Sequence, residues 1–132
     1  MGLKNLNESD LDLIDEAKKL IKKRKTSRSR VVAALRTKSG NKYFGVCVVV
    51  PKSEPCSMCA EYSAVGAMCT AENTTIDTIV AVFLSDSNKY EIFPPCGKCR
   101  QLLSSFGDPY IILKIKNKFK KTKLGEIMLF QY

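Results

Sequence analysis

The chain has 132 residues, is 45% hydrophobic and 27% charged, and carries a net charge of +9; this composition fits a globular protein that buries a core without disulfide bonds. It contains no histidine, which excludes Ser-His-Asp and Cys-His nucleophiles and any histidine-ligated metal. The polar start and the lack of a membrane-length apolar run predict a single cytoplasmic domain over residues 1–132.

The first part of the chain predicts one helix and a β-hairpin. An apolar stripe favours a helix that is capped by Ser9 or Asp10 and runs to about residue 23. Two apolar runs, RVVAALR at 30–36 and YFGVCVVV at 43–50, are typical of strands. The turn residues SGNK between these runs predict that the two strands pair as a hairpin.

The second part of the chain alternates helices and strands. A helix capped by Ser57 is expected at about 58–69, followed by a strand buried on both faces at 75–84. A short helix after two prolines, a strand at 110–116 and a last helix at 124–130 complete the order. The order α-β-β-α-β-α-β-α predicts a three-layer α/β domain with a mixed sheet.

Four of the six cysteines form two C-x-x-C pairs, Cys56 with Cys59 and Cys96 with Cys99. In a reducing compartment this spacing indicates metal or redox chemistry rather than disulfide bonds. A closed structural zinc site would use all four thiolates. However, the 36 residues between the pairs exceed the roughly 15 to 20 that are usual in such sites, and they include a predicted helix and strand.

Alternatively, three thiolates leave one metal position open for chemistry, which is typical of catalytic zinc. Cys59 begins one predicted helix, and Cys96 and Cys99 lie at the start of another, where the helix dipole favours thiolates. Glu61 lies in the first turn after Cys59, where a carboxylate can act as acid and base. Without these cysteines, Glu61 would be an ordinary first-turn acid.

The motif CAE at 59–61 and the motif PCGKCRQ at 95–101 together resemble the cytidine deaminase superfamily of zinc hydrolases, which includes blasticidin S deaminases. The resemblance covers most of the chain, from VVAAL through GVCV to CRQLL. It implies a cytidine deaminase-like α/β/α fold with a mixed five-stranded sheet. It also implies a Zn²⁺ cofactor bound by Cys59, Cys96 and Cys99, and a homotetrameric assembly.

The resemblance further implies a hydrolytic deaminase that converts the 4-amino group of a cytosine-type small molecule to a carbonyl and releases ammonia. In this interpretation Glu61 shuttles protons between the attacking water, ring N3 and the departing amine. The backbone of Ala60 and Pro94 is expected to line the reacting edge of the ring.

Four positions depart from the family pattern. On the second strand, members of this size usually hold the ribose with Asn and Glu, and here Cys47 and Val49 stand at those positions. Neither side chain can form the hydrogen bonds that a sugar 3′-hydroxyl needs. Tyr62 replaces an Arg that often follows CAE, and Ser29 falls near the position of a Phe beside the base. These departures favour a modified cytosine compound and make blasticidin S deaminase the nearest functional neighbour, although that enzyme keeps the Asn.

Two basic segments suggest an alternative function. Residues 18–30 hold eight lysines or arginines and residues 114–123 hold six, and neither segment contains an acid. A nucleic-acid-binding protein or polynucleotide deaminase, with structural or vestigial zinc, would use them to contact phosphates. A solvated surface is the simpler interpretation, because aromatic side chains that could stack on bases are sparse near both segments.

Several further residues have simpler structural interpretations. Cys47 and Cys69 are expected to be small buried hydrophobic residues, and Cys56 is expected to be a loop residue. Arg100 and Gln101 match the family motif, but either side chain can equally well solvate a helix face.

Overall fold

The computed structural model describes residues 2–24, 30–49, 52 and 57–128. Within these residues, one sheet of seven strands is flanked by three α-helices. In chain order the elements are β1 (Lys4–Asn5), α1 (Glu8–Lys23), β2 (Val31–Thr37), β3 (Lys42–Val46), α2 (Ala60–Thr70), β4 (Ile76–Leu84), β5 (Tyr90–Phe93), α3 (Gly97–Ser104), β6 (Tyr110–Ile115), β7 (Lys118–Lys123) and a 3-10 helix (Leu124–Ile127).

The sheet is mixed, with the strand order β1-β7-β6-β4-β2-β3. Strand β4 lies at its centre and pairs antiparallel with β2 but parallel with β6. Strand β5 pairs antiparallel with the last residues of β4, beyond the point at which β6 pairs with it. The predicted mixed α/β fold is therefore confirmed.

Two apolar clusters, one on each face of the sheet, form the core. Helix α1 packs on one face through a stripe that includes Leu13, Ala17 and Ile21. Helices α2 and α3 pack on the other face, where Met68 and Leu103 are fully buried. Because β4 supplies side chains to both clusters, its apolar run is continuous rather than alternating, as the sequence predicted.

The sheet has seven strands, so the expected count of five is wrong. Sequence analysis missed the two-residue β1, the short β5 and the lysine-rich β7. Strand β7 forms because it pairs with β6 along its whole length, and this tertiary pairing overrides its unfavourable composition. The expected last helix is only the 3-10 helix, and residues 129–132 lie outside the described part of the chain.

The start of α1 also differs from the prediction. Asn7 is the cap, and its side chain accepts a hydrogen bond from the backbone of Asp10 while the Asp10 carboxylate accepts one from the backbone of Asn7. Ser9 and Asp10 therefore lie inside the first turn. The Asp10 side chain is fully buried and also contacts Arg36 at 3.0 Å and Lys121 at 2.7 Å, which ties α1 to β2 and β7.

Helix α2 lies directly on β3 because Gly45 has no side chain. A Cβ atom on Gly45 would lie 2.2 Å from the backbone nitrogen of Ala64 and 2.6 Å from the carbonyl oxygen of Ala60. In addition, the Ser63 hydroxyl donates a hydrogen bond of 2.9 Å to the Val46 carbonyl. These contacts fix the first turn of α2, which carries the CAE motif, against the sheet.

Candidate metal centre and active site

Two helices begin at cysteines of the predicted metal site. Cys59 is the N-cap of α2 and Cys96 is the N-cap of α3, and neither thiol forms a capping hydrogen bond. Since Ser, Thr, Asp and Asn stabilise helix starts far better, these cysteines serve a purpose other than capping. The expected cap at Ser57 is wrong, because the helix begins after Cys59.

The three thiols meet at the ends of these helices. The Sγ atoms of Cys59, Cys96 and Cys99 all lie within 4.8 Å of one another. Tetrahedral zinc with Zn–S bonds of about 2.3 Å places its sulfur ligands roughly 3.8 Å apart, so this cluster has the spacing and the donor chemistry for zinc. Cys56, the fourth ligand of the closed alternative, lies outside the described residues.

The thiols have unequal acidity in the absence of a cation. Burial raises the pKa of Cys59 and also that of Cys99, which is completely buried. Burial also acts on Cys96, but hydrogen bonds from the backbone and side chain of Cys99 lower the pKa of Cys96 below its ordinary value. A bound cation would favour the thiolate form of all three.

Glu61 lies beside the thiol cluster. Its side chain is in the first turn of α2 and only 8% of the residue is exposed. Burial raises the pKa of Glu61, although a hydrogen bond from its own backbone partly opposes this effect. A carboxyl group whose pKa is raised holds its proton more readily than an exposed one, which favours a role as an acid as well as a base.

A cavity of about 220 Å³ opens onto the three thiols and Glu61. Ala60 and Pro94, which were expected to contact the substrate, both line it. The sequence therefore indicated the three thiols, the carboxyl group and two further residues that line this cavity.

Sequence analysis missed three other residues that line the cavity: Val31, Ala81 and Phe93. Phe93 is 45% exposed and stacks on Phe83, with ring centroids 5.0 Å apart. An aromatic residue immediately before the PPC sequence was a usable signal. Val31 and Ala81 are ordinary strand residues with no local signal.

The positions that depart from the family pattern have different environments. Cys47 is half-buried and lines the cavity, whereas Val49 is 44% exposed. The Tyr62 ring lies under the ammonium group of Lys98, 4.8 Å from its centroid. Cys69 is exposed, so the expectation that it is buried is wrong. Ser29 lies outside the described residues.

The mixed α/β fold and the three-thiol centre are those of a zinc-binding deaminase domain. Residues 7–115 match the cytidine and deoxycytidylate deaminase zinc-binding region. The chain therefore belongs to this family, and the predicted Zn²⁺ cofactor is confirmed at the level of a three-cysteine metal site. None of the helices in the described residues has the length and apolar character needed to cross a membrane.

Individual proteins of this family are similar over most of the chain. Blasticidin-S deaminase of Bacillus cereus is 29% identical over 134 residues, which cover 97% of this chain and 95% of that protein. Cytidine deaminase of Mycoplasma genitalium is 32% identical over 94 residues, covering 71% of this chain and 70% of that protein.

Solved structures share the fold. Cytidine deaminase from Bacillus anthracis superposes with a TM-score of 0.81 at 20% identity, covering 96% of this chain and 90% of that one. Cytidine deaminase from Burkholderia pseudomallei superposes with a TM-score of 0.75 at 24% identity, covering 96% of this chain and 100% of that one.

Proposed function

We propose that this protein is a hydrolytic deaminase that replaces the 4-amino group of a cytosine-type small molecule by a carbonyl and releases ammonia. One observation carries the proposal: the buried Glu61 carboxyl group and the three thiols line the same cavity. A structural zinc site needs neither an acid nor a cavity. A hydrolase needs both, because water and substrate must meet beside a group that transfers protons.

The proposed proton path uses one side chain. Cys59, Cys96 and Cys99 would hold the zinc ion, which would supply the nucleophile by lowering the pKa of a water molecule toward neutrality. Glu61 accepts the proton of that water and passes it to ring N3. Glu61 then takes the second proton of that water from the hydroxyl group now bonded to C4 and delivers it to the amine. The C4–N bond breaks, the C4 carbonyl forms, and the amine leaves as ammonia.

Backbone groups are proposed to orient the ring. The N–H group of Ala60 lies in the first turn of α2 and therefore has no acceptor within the helix, so it is suited to donate to a polar atom of the substrate. Pro94 has no N–H group, so its backbone can contribute only a carbonyl acceptor, which suits an amino group. Both residues line the cavity.

The substrate is proposed to be a modified cytosine compound such as blasticidin S. Cys47 lines the cavity, and a thiol is only a weak hydrogen-bonding group. A ribose hydroxyl facing this wall would lose its hydrogen bonds with water and gain only a weak hydrogen bond with the Cys47 thiol. The alignment with the Bacillus cereus protein, which spans 97% of the chain, supports the same choice.

One of the basic segments, residues 114–123, gives less support to a nucleic-acid function than its composition suggests. Lys114 contacts Glu91 at 3.4 Å, and Lys121 contacts Asp10 at 2.7 Å. Lys123 donates a hydrogen bond of 3.1 Å to the carbonyl of Asp108. Because these lysines already have partners within the chain, residues 114–123 attract phosphates less than their composition suggests.

We propose a cytoplasmic homotetramer. Val48 and Met58 form an isolated antiparallel bridge near the site, and each is 43% exposed. Exposed apolar side chains that adjoin one another are typical of surfaces that another protein chain covers. The reduced thiols of the metal centre suit a reducing compartment.

The test is ammonia release by zinc-loaded protein. The panel is cytidine, deoxycytidine, their nucleotides, blasticidin S, and short single-stranded RNA and DNA. Turnover of one or more small molecules, with none of the polynucleotides, is the expected result. Turnover of polynucleotides alone would support the alternative function. No turnover anywhere with zinc fully bound would contradict a cytosine deaminase of this substrate class.

A further inference from the structure

The turn from β5 to α3 supplies both a wall and a ligand of the site. Phe93 and Pro94 line the cavity, and Cys96 belongs to the thiol cluster. Two consecutive residues of this turn, Pro94 and Pro95, have no N–H group. These two residues cannot donate backbone hydrogen bonds, so backbone hydrogen bonds can hold this part of the turn only through its carbonyl groups.

Arg100 holds one of these carbonyls. Its Nε atom donates a hydrogen bond of 2.8 Å to the carbonyl oxygen of Pro95. Its Nη1 atom donates another, also of 2.8 Å, to the carbonyl oxygen of Ile127 in the 3-10 helix. A charged donor strengthens both bonds, and the planar guanidinium group fixes their relative direction.

The far end of this connection is itself anchored. The backbone nitrogen of Leu124 donates a hydrogen bond of 2.8 Å to the carbonyl of Pro109, and the Leu124 side chain is buried. The next residue, Gly125, donates to the Asp108 carboxylate at 2.9 Å. The 3-10 helix is thus a fixed point against which Arg100 can hold the turn.

We propose that Arg100 is a positioning residue of the metal centre. By holding the carbonyl of Pro95 against the 3-10 helix, it fixes the Cys96 sulfur relative to those of Cys59 and Cys99, and it fixes Pro94 in the cavity wall. The metal part of this proposal needs only the three-cysteine centre. The effect on the cavity wall rests on the proposed function.

The experiment compares zinc-loaded wild type with Arg100→Ala, Arg100→Lys and the control Gln101→Ala. Gln101 is the next residue of α3 and is partly exposed, so its truncation tests the effect of shortening a side chain at this place. Zinc release to a chromogenic chelator is followed at a temperature well below unfolding. The absorption spectrum of the cobalt-substituted protein reports the ligand geometry directly.

Arg100→Ala is expected to weaken zinc binding by about 10-fold to 100-fold, as the loss of groups that orient metal ligands does elsewhere, and to shift the cobalt bands. Arg100→Lys keeps the charge but cannot form both bonds in the same geometry, so an intermediate loss is expected. Millimolar methylguanidinium should partly restore the Arg100→Ala spectrum. Gln101→Ala should behave as wild type.

An Arg100→Ala protein with wild-type zinc release and cobalt spectrum would overturn the proposal, as would an effect equal to that of Gln101→Ala. If Arg100→Ala does not fold, the comparison of Arg100→Lys with wild type decides in the same way. These readouts do not depend on turnover. A protein that deaminates none of the panel but shows the expected loss of zinc would contradict the proposed function and leave this inference intact.

Discussion

In the proposed function, Cys47 faces the substituent on the substrate ring, at a position where a polar side chain is usual in the family. It lines the cavity, close enough to Cys59 and Glu61 that their charges contribute to the rise in its pKa, behind the larger effect of burial. Replacing the thiol by an amide adds a good donor and a good acceptor at this wall. Substitution of Cys47 therefore tests which ring substituent the site can bind.

Cys47→Asn is expected to raise kcat/KM for cytidine by about 2-fold to 10-fold over wild type, because one added hydrogen bond contributes about 0.5–1.5 kcal/mol. The rate of ammonia release at low cytidine concentration measures kcat/KM. The control is Val49→Asn, because Val49 is exposed and should leave kcat/KM unchanged. An unaltered kcat/KM for cytidine in both variants would contradict the assignment of Cys47 to the substituent side of the cavity.

Among individual residues, the sequence predicted those of the metal centre but missed several in the wall of the cavity. Cys59, Glu61, Cys96 and Cys99 lie in two short segments, and their spacing within the first turns of two helices already brings them to one side. Val31 and Ala81, in contrast, come from separate strands and become neighbours only through the pairing of β2 with β4.

Helix α2 depends on the missing side chain at Gly45. Gly45→Ala should destabilise the protein by at least about 1–3 kcal/mol, because the new methyl group would collide with helix backbone rather than with a movable side chain. It should also weaken zinc binding, since the displaced helix carries Cys59. Thermal unfolding and chelator competition measure the two effects.

Gly66→Ala is the matched control within α2. A Cβ atom at Gly66 has open space around it, so alanine there should stabilise the helix by about 0.5–1 kcal/mol and leave zinc binding unchanged. If Gly45→Ala were as stable as wild type, the close contact between α2 and β3 would not be the feature that fixes the first turn of the helix.

Elements with a strong local pattern were predicted, and elements defined by their neighbours were not. Helix α1 has the apolar period, and strand β4 has the unbroken apolar run, that packing on this sheet requires. The sequence of strand β7, KFKKTK, indicates only a basic segment, because four of its six residues are lysines and only one is apolar. Its Lys121 is accommodated only because the buried Asp10 carboxylate, more than a hundred residues earlier, lies 2.7 Å away.

The buried ion cluster joins α1 to the sheet and makes the stability of the whole molecule depend on pH. Burial raises the pKa of Asp10, but hydrogen bonds from Lys121, Asn7 and Arg36 outweigh it and hold the pKa below the ordinary value. Burial likewise acts on Asp77, whose pKa is nevertheless lowered by hydrogen bonds from Thr78 and Arg36. Both carboxylates are therefore more acidic in the folded protein than in the unfolded chain.

Such groups contribute stability that is complete above the unfolded pKa, near 3.9, and is lost as pH falls through the lower folded pKa. The contribution of Asp10 and Asp77 to the unfolding temperature of the zinc-free protein should therefore change little from pH 7 to about pH 5 and fall below that. Glu61, whose pKa is raised by burial, acts in the opposite direction and adds stability as pH falls. Asp10→Asn should lower the free energy of unfolding at pH 7 by about 3 kcal/mol, because Arg36 and Lys121 lose a buried partner. The acid limb of its profile, which is the fall of unfolding temperature below about pH 5, should be shallower than that of wild type.

The control is Asp86→Asn, which removes an ion pair with Arg30 on a fully exposed side chain and should leave the pH profile unchanged. Parallel acid limbs for wild type and Asp10→Asn would show that the buried cluster does not set the acid stability.

Glu61 is proposed to move protons for a deamination at the three-thiol centre, and Glu61→Gln removes this role while leaving the metal ligands in place. The amide keeps the size of the side chain and removes its ability to accept and release a proton. With zinc content equal to that of wild type, kcat for the substrate that wild type turns over should fall by about 10²-fold to 10⁴-fold. Wild-type turnover by zinc-loaded Glu61→Gln would show that Glu61 does not transfer the protons of the reaction.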